Sequence, residues 1–459
     1  MPQITAKTTW FMPFWRLLSR WVTNIFYTRF EVTGNNQLPT DRGVIICINH
    51  VNALVDPVVV QASNKTFIRP LARSGLWNKL WLRHLLNWIG AVPIYRRNDH
   101  PDGDTSGNAG SFNRVYELLD QNQAIMIFPE GQSHSDPHLH EIKTGAARMA
   151  LGARARNKQA PVILPVGLNF SNKGKFRSDL LVNYGEPVSL EMPAGTSELM
   201  AVRKLTKRIQ QALSEVTLNA KSWEDVELAG RLEEFFAFRQ GKYHQRGLAQ
   251  KFRSLKYLLE TRETLTEHDG SRVRSLISHL KAFEKLCQTC GIKDYHLGVQ
   301  YRPMLILLFF MRSLWLFVVI FPIMLWGLIN SVVPYKLTSW ITTKVASGRD
   351  QFDTAKMIFG MVLFALFWGI QTWLVYRYFG SWWSLVYFVS LIVAAIVLLK
   401  NQGEFIRFKE RLRMFFLFLR KRDLRQYLIE KRRAIELEIA QLVRIARRLP
   451  DHKDKKGQV

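Results

Sequence analysis

The chain has 459 residues, a formal net charge of +27 at pH 7 and a sequence pI of about 10.1. This length allows two or three domains with a full hydrophobic core. Such positive charge is typical of proteins that meet phosphate groups, on nucleic acid, anionic lipid or a phosphorylated substrate. The three cysteines do not indicate a zinc site, because Cys287 and Cys290 form a lone CxxC without two further ligands at suitable spacing. So few cysteines fit a reducing compartment for the soluble part.

The first 33 residues carry an apolar, aromatic stretch that basic residues interrupt. It runs from Trp10 to Tyr27 and contains Arg16 and Arg20. This pattern predicts an amphipathic helix lying in the membrane interface, rather than a cleaved secretory signal or a membrane span. We therefore assign residues 1–33 to an interfacial helix.

Residues 34–220 alternate short apolar runs with longer amphipathic stretches. The strand candidates are Val44–Asn49, Ala91–Tyr95, Ala124–Phe128, Val162–Gly167 and Leu180–Tyr184. The helical patterns between them include Leu76–Ile89, Ser111–Gln121 and Gly145–Arg156. This alternation predicts an α/β domain with a mostly parallel sheet flanked by helices.

The rest of the chain is predicted to be helical. Residues 221–300 have charged helical patterns and no strand signals, and we assign them to a helical extension. Residues 301–400 form a transmembrane region, in which Met357–Tyr376 and Trp382–Leu399 each have bilayer length and form a hairpin. An earlier apolar run, Met304–Val333, is longer and contains Pro322.

The orientation follows from charge. Both flanks of the apolar region are basic, including the tail of predicted helices at residues 401–459. Because basic flanks tend to stay on the cytoplasmic side, we expect an even number of crossings, with the first apolar run broken near Pro322. The chain is then an integral membrane protein with its α/β domain on the cytoplasmic face. Its phosphate-bearing partners are lipids rather than nucleic acid.

One pair of residues suggests chemistry. His50 follows the apolar run Val44–Ile48, so it lies at a strand end, where open α/β sheets usually present their ligands. A histidine there can act as a general base at neutral pH. A carboxylate at Asp56 could reach its other ring nitrogen, fix the tautomer and stabilise the imidazolium. Most pairs at this spacing are structural, so the pair alone is a weak signal.

Two further blocks also follow strand candidates. The first runs from Phe128 to Ser135 as Phe-Pro-Glu-Gly-Gln-Ser-His-Ser, where Gly131 permits a sharp turn close to a phosphate and the serines can donate. The second starts at Gly90 and ends in two arginines, the first of them Arg96. An arginine at a strand end can bind phosphate through two hydrogen bonds.

Together these blocks resemble the signature of the glycerol-3-phosphate and lysophosphatidate acyltransferases, also called the PlsC-like family. Their order and spacing match over roughly residues 30–215. As they stand in this sequence, the four blocks are Asn49-His50…Asp56, Gly90…Ile94-Tyr95-Arg96, Phe128-Pro129-Glu130-Gly131 and Val162-Ile163-Leu164-Pro165-Val166-Gly167. The resemblance implies an O-acyltransferase of phospholipid biosynthesis.

The resemblance also implies roles for these residues. His50 would deprotonate the acceptor hydroxyl and Asp56 would orient it, while backbone amides near the histidine or the glycine turn would stabilise the oxyanion. The donor would be an acyl thioester, acyl-CoA or acyl carrier protein, with no further cofactor and no metal.

The remaining blocks would hold the two substrates. Arg96, Glu130 and Gly131 would bind the glycerol phosphate, with Ser133 as a helper. The block around Pro165 would be associated with the acyl donor.

One feature departs from the family pattern. The usual first block has four residues between His and Asp, whereas here Val51–Val55 gives five. In a helix, one extra residue rotates a side chain by about 100° and shifts it by about 1.5 Å. Either a bulged turn absorbs the residue, or the pair is misaligned. The longer spacing is similar to that of a branch of the family that acts on glycerol-3-phosphate and carries membrane segments after the catalytic domain.

Several alternatives stay open. The acceptor could be glycerol-3-phosphate, slightly favoured, or dihydroxyacetone phosphate or 1-acylglycerol-3-phosphate. A metal-dependent hydrolase is suggested by the possible ligands between His134 and Glu141. A non-catalytic membrane scaffold, or a nucleic-acid binder driven by charge, would explain the basic tail but not the four blocks.

Overall fold

The computed structural model describes residues 11–96, 107–156, 159–239, 246–292, 297, 311, 314–420 and 422–448. The chain divides into two compact units. The first contains Met1–Ser222, Gly247–Ala249 and Thr342–Ile358, and the second contains Trp223–Arg246, Gln250–Ile341 and Phe359–Val459.

The first unit is built on a seven-stranded sheet in its described residues. The strands are β1 (Tyr27–Thr33), β2 (Val44–Ile48), β3 (Ile68–Arg73), β4 (Val92–Ile94), β5 (Ala124–Ile127), β6 (Val162–Phe170) and β7 (Ser178–Tyr184). Their order is β1-β7-β6-β2-β5-β3-β4, and every neighbouring pair is parallel except β6 and β7. The predicted α/β fold with a mostly parallel sheet is confirmed.

Helices cover both faces of this sheet. They are α1 (Phe11–Phe26), α2 (Val55–Ser63), α3 (Leu80–Trp88), α4 (Asn108–Asp120), α5 (Gly145–Arg156) and α6 (Glu198–Val216). The central strand β2 is fully buried and divides its side chains by alternation between two apolar clusters. Residues of α1 and α2 join one cluster, and residues of α4, α5 and α6 join the other.

The parallel strands bring the predicted blocks to one edge. β2 leads into His50, β4 into Arg96 and β5 into the Phe128–Ser135 block. Because the carboxyl ends of parallel strands share an edge, these blocks lie on the same side of the sheet. The loop after β6, which contains Lys173, reaches that edge as well.

The N-terminal segment contains a strand that the sequence analysis does not predict. The predicted interfacial helix corresponds to α1, which exposes Phe14, Leu17 and Trp21. β1 follows directly and pairs with β7. Its charged residues, Arg29 and Glu31, mask the strand pattern.

The second unit is helical in its described residues. α7 (Trp223–Arg239) and α8 (Leu248–Cys290, non-helical at Asp269) agree with the predicted helical extension. α9 (Phe321–Val345), α10 (Phe352–Phe379), α11 (Ser381–Arg420) and α12 (Arg422–Arg448) follow, and parts of the first and second of these belong to the first unit. Buried residues of α7, α8, α11 and α12 share one apolar cluster.

Three of the described helical segments are long and apolar enough to cross a membrane. They are Phe317–Val345, Arg349–Phe379 and Ser381–Asn401. The last two correspond to the two arms of the predicted hairpin, and Gly380 lies between them in sequence. That they pack as a hairpin stays a prediction. The first begins in the π-helical turn Leu316–Ile320 just before Pro322, and Met304 lies outside the described residues. The number of crossings and the cytoplasmic orientation stay predictions.

A short segment that includes the end of α9 and the start of α10 belongs to the first unit. Thr342–Ile358 clusters with the α/β domain, although the sequence analysis places it inside the transmembrane region. We call residues 342–358 the strap. Described side chains of the strap reach the carboxyl edge of the sheet.

Candidate active site

A tight turn accommodates the longer spacing between His50 and Asp56. β2 ends at Ile48, and α2 begins at Val55, so Asp56 lies in the first turn of that helix. Within the turn, Val55 N donates to Asn52 O at 2.9 Å, and Ala53 has a φ of 40°. These features form a bulged turn that absorbs the extra residue. The positive φ of Ala53 is strained for alanine.

The Asp56 carboxylate holds this turn together. Its Oδ2 lies 2.8 Å from His50 Nδ1 and accepts from the amides of Val51 at 2.9 Å and Asn52 at 2.8 Å. Asp56 is fully buried. The predicted geometry, with Asp56 within hydrogen-bond reach of the His50 ring, is confirmed.

This contact prepares His50 for general-base chemistry. With the proton on Nδ1, the ring donates a hydrogen bond to the Asp56 carboxylate, which leaves the Nε2 lone pair to take a proton. Nε2 has no hydrogen-bond partner among the described residues, and the side chain is 19% exposed, enough for a substrate to reach it. The ring stacks on Phe128 with centroids 4.2 Å apart, which limits its rotation.

Glu130 fixes the same turn from the neighbouring loop. Its Oε1 accepts from the backbone amide of His50 at 2.7 Å. Its Oε2 accepts from His140 N at 2.8 Å and lies 2.6 Å from His134 Nε2. His134 N in turn donates to His50 O at 3.1 Å. The buried Glu130 therefore joins the two predicted blocks, and its predicted contact with substrate stays a prediction.

The other predicted acceptor-binding residues gather around the glycine turn. Gly131 has a φ of 79°, and its amide donates to Phe128 O at 3.0 Å. Arg96 donates to Gly131 O, and Ser133 Oγ donates to Asp350 of the strap. The structure thus brings Arg96, Gly131 and Ser133 to one turn, where their binding of phosphate stays a prediction.

Pro165 lies inside the sheet, away from this turn. It is buried in β6, in register with Cys47 of β2, and its carbonyl accepts from Gly185 N at 2.9 Å. Its predicted association with the acyl donor stays a prediction. Burial raises the pKa of its neighbour Cys47 to about 12, which makes that thiol unreactive.

Lys173 is a site residue that the sequence analysis misses. Its Nζ donates to Val51 O at 3.3 Å and His134 O at 3.4 Å, so it spans the histidine turn and the glycine loop. Burial lowers the pKa of Lys173, whereas the carboxylates of Asp56 and Asp350 act to raise it. The sequence feature that could have indicated Lys173 is its position three residues after the end of β6.

Glu130, His134 and His140 offer ligand atoms within 4.8 Å of one another. The two rings are parallel within 4° and their centroids are 3.7 Å apart. Nitrogen lone pairs lie in the ring plane, so one ion cannot lie in both planes. The atoms also have partners already, since His140 Nε2 lies 2.7 Å from Asp136 Oδ2. The arrangement fits a hydrogen-bond network better than a metal centre.

The amides expected to stabilise an oxyanion are mostly engaged. The amides of His50, Val51 and Asn52 donate to carboxylates, and those of Gly131 and His134 donate to carbonyls. Among the described residues of this loop, Gln132 N and Ser133 N have no such acceptor. An oxyanion site in the glycine turn is therefore better supported than one at the histidine.

A family model matches the part of the chain that contains the candidate site. Residues 29–169 match the family model described as Acyltransferase, and this range includes His50, Asp56, Arg96, Glu130 and Pro165. The strap lies outside the matched range.

The chain is also similar to two curated proteins. It is 38% identical over 124 residues to glycerol-3-phosphate O-acyltransferase 2 of Saccharomyces cerevisiae, covering 26% of this chain and 17% of the yeast protein. It is 26% identical over 202 residues to 1-acyl-sn-glycerol-3-phosphate acyltransferase of Borreliella burgdorferi, covering 43% of this chain and 71% of that protein. The chain thus spans less than a fifth of the yeast relative's length.

Among solved structures, the chain is similar to the 1-acyl-sn-glycerophosphate acyltransferase PlsC of Thermotoga maritima. The sequence identity is 18% and the TM-score 0.33, over 47% of this chain and 84% of that one.

Proposed function

Since residues 29–169 match the Acyltransferase family model, we propose that this chain transfers a fatty acyl group from a thioester to a hydroxyl of a glycerol phosphate. The donor is acyl-CoA or acyl carrier protein. The preferred acceptor is glycerol-3-phosphate, and 1-acylglycerol-3-phosphate is the alternative.

The observation that carries this proposal is the His50–Asp56 contact of 2.8 Å, with no described residue bonded to Nε2. It forms at the carboxyl edge of the sheet, beside a glycine turn that can approach a phosphate. A buried, structural His–Asp pair would not need an accessible second nitrogen.

The reaction needs one base and one oxyanion site. His50 Nε2 takes the proton of the acceptor hydroxyl as that oxygen attacks the thioester carbonyl carbon. The tetrahedral oxyanion collapses, the carbon–sulfur bond breaks, and the imidazolium returns its proton to the leaving thiolate. Asp56 stays ionised and stabilises the imidazolium between the two steps. The products are an ester and a free thiol.

In this proposal the acceptor phosphate binds beside Arg96, Lys173 and the glycine turn. Both cations lie at the same edge as His50, and Arg96 can offer paired donors. The five-residue spacing and the similarity to the yeast protein support glycerol-3-phosphate as the acceptor. The similarity to the Borreliella protein supports the alternative.

The donor and the membrane complete the proposal. The three candidate spans support membrane association, and the basic flanks support a catalytic domain on the cytoplasmic face. Pro165 and its strand would shape the acyl-donor side, with membrane lipids as the surroundings.

The test is transfer of labelled acyl groups from acyl-CoA, and separately from acyl carrier protein, to each acceptor by membranes containing the full chain. His50→Ala should abolish transfer, whereas His84→Ala, an exposed helical histidine, should keep it. Retained transfer in His50→Ala would overturn the mechanism. Failure of every donor–acceptor pair would overturn the function, and stoichiometric zinc or iron on metal analysis would then favour the hydrolase.

A further inference from the structure

The strap contacts the histidine turn through one buried carboxylate. Asp353 Oδ2 accepts from Asn52 Nδ2 at 2.6 Å, across 301 residues of sequence. Asp353 Oδ1 accepts from the amide of Gly174 at 2.9 Å. Both Asp353 and Asn52 are fully buried. One carboxylate therefore joins the strap to two loops at the edge of the sheet.

Neighbouring strap residues hold Asp353 in place. Met357 is buried in the apolar cluster that contains residues of β2 and α2. Lys356 Nζ donates to Gly174 O, so Gly174 is held at both its amide and its carbonyl. Asp350 accepts from Ser133, which fixes the strap to the glycine turn as well. The strap is thus anchored on both sides of Asp353.

Asn52 lies at the centre of the strained turn. Its amide donates to Asp56 at 2.8 Å, and its carbonyl accepts from Val55 N at 2.9 Å. The next residue, Ala53, has the positive φ. The Asp353 contact restrains the Asn52 side chain, the part of the residue that the turn itself leaves free. Without it, the turn could relax the strain at Ala53 by shifting Asn52 away from Asp56.

We propose that Asp353 is a positioning residue for the acyl transfer, acting through Asn52 to hold the His50–Asp56 pair in its reactive arrangement. This inference rests on the proposed function. Asp353 touches neither His50 nor the reacting atoms, so its effect reaches them through the turn. The strap, which includes the end of α9 and the start of α10, thereby completes the catalytic turn.

The first test is Asp353→Asn in the full chain. An amide can accept from Asn52 or from Gly174 through its one oxygen, but it presents hydrogens to the other donor. Small misplacements of catalytic groups reduce rates strongly, so we expect kcat to fall by about 10- to 100-fold while KM for the acceptor changes less than about threefold. Asp41→Asn, the same change at an exposed carboxylate, should leave both unchanged.

The second test exchanges the two side chains. Asn52→Asp alone places two carboxylates together and should lower kcat more than Asp353→Asn. In the double variant, the new amide at position 353 can donate to the new carboxylate at position 52 and accept from Gly174 N. We expect the double variant to recover kcat at least fivefold over Asn52→Asp, which loss of fold stability alone would not produce.

The outcomes separate this inference from the proposed function. If the wild-type chain transfers no acyl group, the function fails, and hydrogen exchange decides the positioning role: faster exchange at Val51 and Asn52 in Asp353→Asn supports it. If the wild type is active and Asp353→Asn keeps its kcat, the inference is overturned although the function stands. A double variant no better than Asn52→Asp would also overturn it.

Discussion

Glu130 Oε1 accepts the backbone amide of His50 at 2.7 Å, and Asp56 Oδ2 lies 2.8 Å from the same residue's ring. One histidine is therefore held by two buried carboxylates, one at its backbone and one at its side chain. The backbone contact fixes the position of His50, and the side-chain contact fixes the orientation of its ring.

Replacing Glu130 tests the backbone contact. In Glu130→Gln one carboxylate oxygen becomes an NH2 group. In either orientation of the amide, this group faces an N–H donor, so a buried polar group is left unsatisfied. We expect a loss of about 1–3 kcal/mol in unfolding free energy together with reduced transfer. Thermal or denaturant unfolding in detergent measures the first effect. Glu117→Gln, at an exposed site on α4, should change neither, and equal stability of the two variants would contradict the assignment.

Replacing Asp56 tests the side-chain contact. In Asp56→Asn the amide carries no charge to stabilise the imidazolium, and it can hold the ring in the wrong tautomer. The corresponding change in a serine protease lowers kcat about 10⁴-fold, so we expect a loss of about that order here. The measurement is kcat for acyl transfer at saturating donor and acceptor. A variant within tenfold of wild type would show that Asp56 has only a structural role.

The buried thiol of Cys47 gives a prediction on pH. Because burial raises its pKa to about 12, Cys47 carries almost no thiolate at pH 8 and should resist iodoacetamide in the native protein. The unfolded chain ionises nearer the ordinary value of 9.0 and binds fewer protons between these two values. Cys47 therefore reduces stability as pH rises through this window. Mass spectrometry of labelled peptides checks the prediction, which native labelling of Cys47 at pH 8 would contradict.

Two glycine-to-alanine variants form a matched pair that tests the packing through the free energy of unfolding. At Gly167 of β6 a Cβ would lie 2.0 Å from the carbonyl oxygen of Val216, so Gly167→Ala forces α6 away from the sheet. We expect a loss of about 1–3 kcal/mol, as for other overpacked cores. At Gly230, in the middle of α7, a Cβ meets nothing within 4 Å. Gly230→Ala should stabilise by about 0.5–1 kcal/mol. Unfolding curves that rank the two variants otherwise would contradict this packing.

The sequence predicts the central sheet well because its strands are buried on both faces. β2, β5 and the start of β6 are continuous apolar runs, which is the pattern of parallel strands covered by helices. β3 is missed because Arg69, Pro70 and Arg73 interrupt its apolar pattern. β3 tolerates its proline and arginines because its pairing is divided between two neighbours. Its first three residues pair with β5 and its last three pair with β4. Local pattern therefore identifies strands that are continuous apolar runs better than strands that charged residues or proline interrupt.

The candidate site follows the same rule. His50, Asp56, Arg96 and Glu130 are found because each directly follows a predicted strand or lies in a short block. Asp353 is not, because its partner Asn52 lies 301 residues earlier and its own surroundings are the start of an apolar helix. No spacing rule links such residues, and the contact exists only once the fold has brought them together.

The position of the strap also has a consequence in time. Asn52 leaves the ribosome 301 residues before Asp353. At about 5–20 residues per second, the histidine turn waits on the order of 15–60 s for Asp353. During that interval the first candidate span, Phe317–Val345, has already been synthesised. The contact with Asp353 therefore forms only after this candidate span has been made, so a chain whose synthesis stops before the strap carries His50 without the contact that restrains its turn.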